Sequence, residues 1–330
     1  MAQNKFLLQI KRWAARRTVS GTIRKLDPAR VPRAASEIRL FMKARNESLR
    51  LPFLLDYYFN QGVDRVFVLD HGSTDNTQAI VLSKPNTHLF QVSGPLARHG
   101  AWFDFLLHRY GLGHWCVIAD ADEQLIYPDY EKTPLKELCA GLDRDSFNAL
   151  HCLLLDMYPS GPLEKAGYQA GTEPLTAAPY FDAGPYTTEL KKDYVPAWEM
   201  YHSGPGLLYG GMRQRVFGIK PCLSKFPLFK FNRGMHLSPG MHFIEGARVA
   251  NMRGALLHFK YLQDFSVRVK EAAAREEHWQ NAKEYKAYLK TLGDTPPSFH
   301  APASVKYSGS RQLIDLGLMK TTSRPDRFFG

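Results

Sequence analysis

The chain has 330 residues, 44% hydrophobic and 23% charged, which is enough for one large domain or two modest ones and excludes a wholly disordered chain. No run approaches the ~20 apolar residues of a membrane-spanning helix. The net charge of +11 asks for an acidic partner, yet it is not spread evenly: residues 1–33 hold nine Lys and Arg against Asp27 alone, a net +8, leaving +3 for the rest. A nearly balanced body with no zinc-finger spacing and no aromatic RNA-binding signature makes nucleic acid an unexpected partner.

The basic segment reads first as an amphipathic helix over residues 4–17. Phe6, Leu7, Ile10, Trp13 and Ala14 share one helical face, while Lys5, Arg12 and Arg16 cluster on another. Such a helix suits an anionic membrane surface, at about 1 kcal/mol per basic residue near it. A solvated extension packed on the body and an organellar transit peptide are the competing readings, and a secretory signal fails for want of an apolar h-region. Cys116, Cys139, Cys152 and Cys222 form no C-x-x-C pair, which argues for a reducing compartment and against a thiolate zinc site. The expected location is cytoplasmic, with peripheral association at the inner membrane face.

From residue 37 the pattern alternates. Strands are expected at Glu37–Lys43, Arg65–Asp70, Thr87–Val92, His114–Ala119 and Phe147–Leu155. Helices are expected at Leu51–Gln61, from the Ser73–Asp75 cap through Leu82, at Ala101–Tyr110 and at Pro134–Leu142. This spacing predicts an α/β fold with a mostly parallel sheet and flanking helices. Residues 156–250 are rich in Pro, Gly and aromatics and read as a loop-rich region, with short strands and an acceptor-facing face built onto the sheet. Gly254–Leu262 returns to strand character, Phe265–Leu292 reads as one long charged helix, and residues 293–330 as a wrapping tail. The expected divisions are 1–33, 34–155, 156–264 and 265–330.

In open α/β sheets ligands bind beyond the carboxyl ends of the strands. The polar clusters at 45–47, 70–75 and 120–123 all follow strands directly. In Asp120-Ala121-Asp122-Glu123, three carboxylates in four residues repel one another unless a cation neutralises them, and Mn2+ or Mg2+ favours such oxygen ligands. A solvated acidic turn is the plainer alternative. Asp70, also at a strand end, can accept from the N–H of a nucleobase, and the Ser73–Asp75 run caps a helix. Arg98, Arg213 and Lys225 are candidates to meet phosphate.

Lys43-Ala44-Arg45-Asn46-Glu47, then VFVLDHGSTDNT at 66–77, then WCVIADADEQLIYP at 115–128, together resemble the family 2-like glycosyltransferases with the GT-A fold, in a bacterial branch carrying N-E, D-x-G-S-T-D and D-A-D-E motifs. The likeness is strongest over residues 37–155. It implies a metal-dependent enzyme that moves a sugar, with inversion, from a nucleoside-diphosphate-sugar to a glycan or lipid-linked acceptor in cell-surface polysaccharide synthesis. It places Asn46, Glu47 and Asp70 at the nucleotide, Asp120 and Asp122 at the metal and the donor, and His258 as a late metal ligand. His71 departs from the commoner second Asp. An inverting transfer needs a general base near the acceptor hydroxyl. Asp182 is the choice, with Glu173, Glu189 and Asp193 competing, and His236 and His242 are spare metal or acceptor candidates. The rivals are an inactive transferase-like binding module and a haloacid-dehalogenase-type phosphotransferase, the latter disfavoured by Gln124 where that family needs Thr or Val.

Overall fold

The computed structural model describes residues 12–34, 36–189, 206–237, 242–275, 279–293 and 297–321, with backbone only at 279–281. In chain order the elements are α1 (residues 12–20), β1 (Ile23–Lys25), β2 (Ile38–Ala44), α2 (Leu51–Asn60), β3 (Arg65–Asp70), α3 (Thr77–Ser83), β4 (Thr87–Val92), α4 (His99–Leu106), β5 (Trp115–Ile118), β6 (Glu123–Ile126), α5 (Leu135–Arg144) and β7 (Ala149–Asp156). There follow β8 (Tyr180–Asp182), β9 (Tyr186–Glu189), β10 (Leu207–Gly210), α6 (Gly211–Phe217), β11 (Ser224–Lys230), β12 (His236–Leu237), β13 (Ile244–Glu245), β14 (Val249–His258), α7 (Phe265–Arg275), α8 (Trp279–Leu292), β15 (Ser304–Lys306) and α9 (Ser310–Asp315).

One nine-stranded sheet organises the chain, in the order β1-β4-β3-β2-β5-β11-β7-β14-β6. The strands β2, β3, β4, β5, β7 and β14 run one way, while β1, β11 and β6 run against them. The expected mostly parallel α/β sheet is therefore present. Its central strands are buried on both faces, and the period-2 pleat sorts their side chains. Leu40 and Met42 of β2 join α2 and α5 through Leu54, Leu55, Tyr58, Leu138 and Leu142. Phe41, from the same strand, faces Trp102, Phe103 and Leu106 of α4 on the other side.

Four elements differ from expectation. Glu123 is not part of a loop but the first residue of β6, paired directly opposite His258 of β14. The strand β11, from the supposedly loop-rich region, lies inside the sheet between β5 and β7. Pro227 cannot donate to a ladder, and the pairing with β7 shifts register between Lys225 and Leu228, a bulge that accommodates it. The helix expected over Phe265–Leu292 is two helices. Continuous, it would hold Phe265 and Tyr288 about 35 Å apart, whereas their rings meet at 5.4 Å. Burying those two rings with Val269, Leu292, Phe217 and Phe299 in one aromatic cluster outweighs the helical pattern.

Finally, the boundary drawn at residue 33 falls after β1, which pairs with β4 as an edge of the main sheet. Of the amphipathic helix expected over 4–17, residues 4–11 lie outside the described residues. In α1, Arg12 pairs with Glu245 at 2.6 Å and Arg16 with Asp104 at 2.7 Å, while Trp13 is 51% exposed. Among the described residues no helix is long and apolar enough to cross a membrane. The four cysteines are free thiols, three of them buried.

Candidate active site

Two of the motifs form one unit. The Asn46 amide donates to Ser73 Oγ (3.0 Å), Glu47 N–H to Thr77 Oγ1 (2.8 Å) and Ser48 N–H to Asp75 Oδ2 (3.0 Å), while Thr74 N–H donates to Asn46 Oδ1 (2.8 Å). Asn46 holds the left-handed conformation, φ 53°, that this fit demands, which Asn tolerates better than most residues. Asp70 sits under the same turn and is fully buried. Its carboxylate takes Ser73 N–H, Ser73 Oγ and, at 2.8 Å, Gln78 Nε2. It anchors the loop and does not line the cleft; its neighbour His71 does, with Nε2 at 2.9 Å from the Gly94 carbonyl.

The acidic turn is equally fixed. Phe259 N–H donates to the Asp122 carbonyl (2.8 Å), Tyr58 Oη to the Glu123 carbonyl (2.9 Å) and Asp120 N–H to Glu123 Oε2 (3.1 Å). The three carboxylates then take different partners. Glu123 is buried against the Lys225 ammonium, an internal cation supplied by β11, which also lies 3.4 Å from Asp120. Asp122 faces His258 Nε2 at 3.6 Å, and His258 Nδ1 lies 2.7 Å from Asp156 Oδ1 at the end of β7. Asp120, whose side chain is 33% exposed, keeps a buried Oδ1 with no hydrogen-bond partner among the described residues.

Burial raises every carboxyl here, but neighbouring basic side chains decide the balance. Lys225, Lys43 and His258 hold Asp120 well below the usual range, and His258, Arg268 and Arg50 hold Asp122 below it. For Glu123 burial wins over Lys225 and the shift is upward. Burial also pushes Glu47 up, to about 7, against Arg268 and Arg50. The two aspartates thus stay ionised with room beside them.

These groups form the floor of a cleft of about 210 Å³ roofed by α7, which presents Phe265, Arg268, Val269, Ala272 and Arg275 to it. Arg268 closes over Glu47 at 2.6 Å. The lining holds Lys43, Arg45, Lys260, Arg268 and Arg275 against Glu47, Asp120, Asp122 and Glu271, a net +1. Lys43 has no ion-pair or hydrogen-bond partner among the described residues, and it acts on Asp120. Arg45 spends one nitrogen on the His71 carbonyl at 2.7 Å.

A divalent cation fits this floor. The ligand atoms of Asp122, Glu123 and His258 lie within 4.8 Å of one another, and the orphaned Asp120 oxygen adds an unsatisfied acceptor nearby. The trio differs from the expected Asp120, Asp122 and His258 by containing Glu123, but Lys225 already occupies that carboxylate. Asp122 and His258 are therefore the common members. Hard oxygen with one imidazole suits Mn2+ better than Mg2+.

Other expected residues lie elsewhere. Asp182 does not line the cleft: it is 1% exposed, with both oxygens taken by Arg215 at 2.8 Å and one also by Tyr158. A carboxylate held by Arg215 and Tyr158 and set apart from the cleft lining is not positioned beside an acceptor hydroxyl there, so the geometry does not favour the general-base role. Glu189 pairs with Lys220 away from the cleft lining, Glu173 is absent from that lining, and Asp193 lies outside the described residues. Arg98 is exposed beside Gly94. Arg213 is buried on Asp156, and Lys225 on Glu123, so neither presents a free cation to phosphate. His242 Nδ1 lies 2.9 Å from the Ser224 carbonyl, and His236 lies beside Asp104. Asp156, Lys260 and Arg268 were missed. Asp156 carries the same signal as Asp120, an acid closing an apolar strand (LLLD).

No protein-family model and no curated protein matches the chain. Among solved structures it is similar to a mannosyltransferase from Pyrobaculum calidifontis in complex with GDP-Man and Mn2+, at 22% identity and a TM-score of 0.28, over 44% of this chain and 43% of that one. It is similar to glucosyl-3-phosphoglycerate synthase from Mycobacterium tuberculosis in complex with phosphoglyceric acid (17% identity, TM-score 0.26, 39% of this chain and 47% of that one). A 4-diphosphocytidyl-2C-methyl-D-erythritol synthase gives 13% identity and a TM-score of 0.25, over 42% and 67%. The chain spans less than half the length of the first two. At that identity and those TM-scores the likeness is partial, and it lends this chain none of its neighbours' chemistry.

Proposed function

We propose that the chain is a metal-dependent glycosyltransferase using a nucleoside-diphosphate-sugar donor. One observation carries the reading: ionised Asp122 faces His258 Nε2 across 3.6 Å on the floor of a cleft rimmed by five Lys and Arg side chains. A diphosphate ester brings about two negative charges near neutral pH. A lining of net +1 balances it only in part, and a divalent cation on Asp122 and His258 completes the balance. Such a cation, Mn2+ or Mg2+, supplies Lewis-acid stabilisation of the departing diphosphate. The residues around it bind and orient. Lys43 and Arg45 approach from the first strand end, Lys260 from beyond β14, and Arg268 and Arg275 from the helical roof, which also excludes water. The Asn46–Glu47 loop, pinned to the Ser73–Thr77 turn, shapes the nucleotide side. The acceptor is a glycan or lipid-linked hydroxyl, with inversion at the anomeric carbon, in cell-surface polysaccharide synthesis.

The test is a panel of nucleotide sugars with Mn2+, followed by release of nucleoside diphosphate. One or two donors should turn over, and chelation should stop them. Silence across the panel, with the protein folded, would leave a binding module.

A further inference from the structure

We infer that Asp156 is the positioning residue of this site, setting which nitrogen of His258 faces a bound divalent cation, with Arg213 holding Asp156 from behind. The inference rests on the metal reading above. Asp156 ends β7 and His258 ends β14, paired in parallel and directly in register. Asp156 Oδ1 lies 2.7 Å from His258 Nδ1, and Arg213 Nε donates to Asp156 Oδ2 at 2.7 Å. All three side chains are buried.

Arg213 meets Asp156 as a fixed cation through its Nε–H, and a carboxylate so paired only accepts, so Nδ1 must carry the hydrogen that bridges it to His258. Nε2 is then the nitrogen turned to Asp122, where a lone pair is needed for ligation. The far side of Arg213 continues the arrangement. Its Nη1 lies 3.3 Å from Glu284, and Glu284 lies 3.4 Å from the Lys260 ammonium, which lines the cleft. The chain His258–Asp156–Arg213–Glu284–Lys260 therefore starts and finishes on the same strand end. It ties one metal-facing group and one cation of the cleft to a common frame.

Mn2+ binding, followed by the loss of the free-ion electron-paramagnetic-resonance signal without any sugar donor, tests this. Wild type should bind, and Asp156→Asn should bind 10–100-fold more weakly while retaining a cooperative melt. Equal affinity in the two proteins overturns the positioning role. No binding by wild type overturns the metal reading itself, a separate outcome. A second measurement needs no folded Asp156 variant. Nitrogen NMR of 15N-histidine-labelled wild type, with His258→Gln assigning the resonance, should show hydrogen on Nδ1. A neutral ring with hydrogen on Nε2 alone would overturn the inference.

Discussion

Asp122 and Asp182 are both buried aspartates next to basic side chains, and they do opposite things. Asp182 has its oxygens taken by Arg215 and Tyr158 and is sealed off from the cleft. Asp122 has a histidine 3.6 Å away, too far for a hydrogen bond, and a cleft beside it. Saturated partners make a structural charge, whereas an ionised carboxylate facing a gap makes a site. Neither burial nor charge separates the two; the count of remaining partners does.

The sharpest way to break this comparison is to neutralise each acid. Asp122→Ala should reduce donor turnover by about a thousandfold, the several kcal/mol that metal stabilisation supplies, with little change in melting temperature. Removal of the metal by EDTA should match it in wild type and add nothing in the variant. Unchanged turnover in Asp122→Ala would end the metal reading. Asp182→Ala should do the reverse, costing about 1–3 kcal/mol of stability because Tyr158 and the partly exposed Arg215 lose a hydrogen-bond partner. Its turnover per folded molecule should stay near wild type. A stable but inactive Asp182→Ala would restore the general-base role.

Acid titration sharpens the contrast between sealed and open groups. His151 and His242 are held neutral chiefly by burial, which pushes them down to about 3 and about 4. A histidine whose folded pKa is depressed binds its proton in the unfolded state first. Its stabilisation is complete above its ordinary pKa of about 6.5 and is lost as pH falls toward the folded value. Between pH 6.5 and 5 each should cost about 2 kcal/mol. Urea unfolding of wild type and His151→Gln at the two pH values checks this: the variant should be spared about 2 kcal/mol of acid destabilisation relative to wild type, while Glu47, raised to about 7, contributes in the opposite direction equally to both proteins. An identical pH dependence in the two proteins would mean that the His151 ring meets water.

Much of the fold was legible because its signals are local. The runs RLFMK, RVFVLD and WCVIA are apolar on both faces, so only a covered sheet can accept them, and the acids that close them fall on the ligand edge. The signals that failed depend on distant partners. The recurring Pro and Gly of residues 156–250 hid β11 as an inner strand, since nothing nearby announces the bulge that accommodates Pro227. The pairing of Phe265 with Tyr288 is invisible to a period-3.6 pattern that both helices satisfy. In the site, Asp120-Ala121-Asp122-Glu123 reads as three equivalent acids. Only the fold brings Lys225, 102 positions away, onto Glu123 and leaves Asp122 with His258. The partners of Asp70 and Asp182 are equally out of reach of the local sequence: Ser73 and Gln78 hold the first under its turn, and Arg215 and Tyr158 hold the second.

The smallest effect concerns the basic segment, where the same rule applies to cations. Arg12 and Arg16 were expected to face an anionic membrane surface, but they are spent on Glu245 and Asp104. Burial works to raise Asp104, yet His108, His236 and Arg16 hold it well below the usual carboxylate range. Replacing Arg16 by Gln should therefore cost no more than about 1 kcal/mol, as expected for a partly exposed pair. The Arg12→Gln, Arg16→Gln double variant should bind vesicles containing anionic lipid as well as wild type does, because neither charge is free to meet the lipid. Loss of vesicle binding in that variant, with stability unchanged, would mean that the pairs open at a membrane and that α1 faces lipid after all.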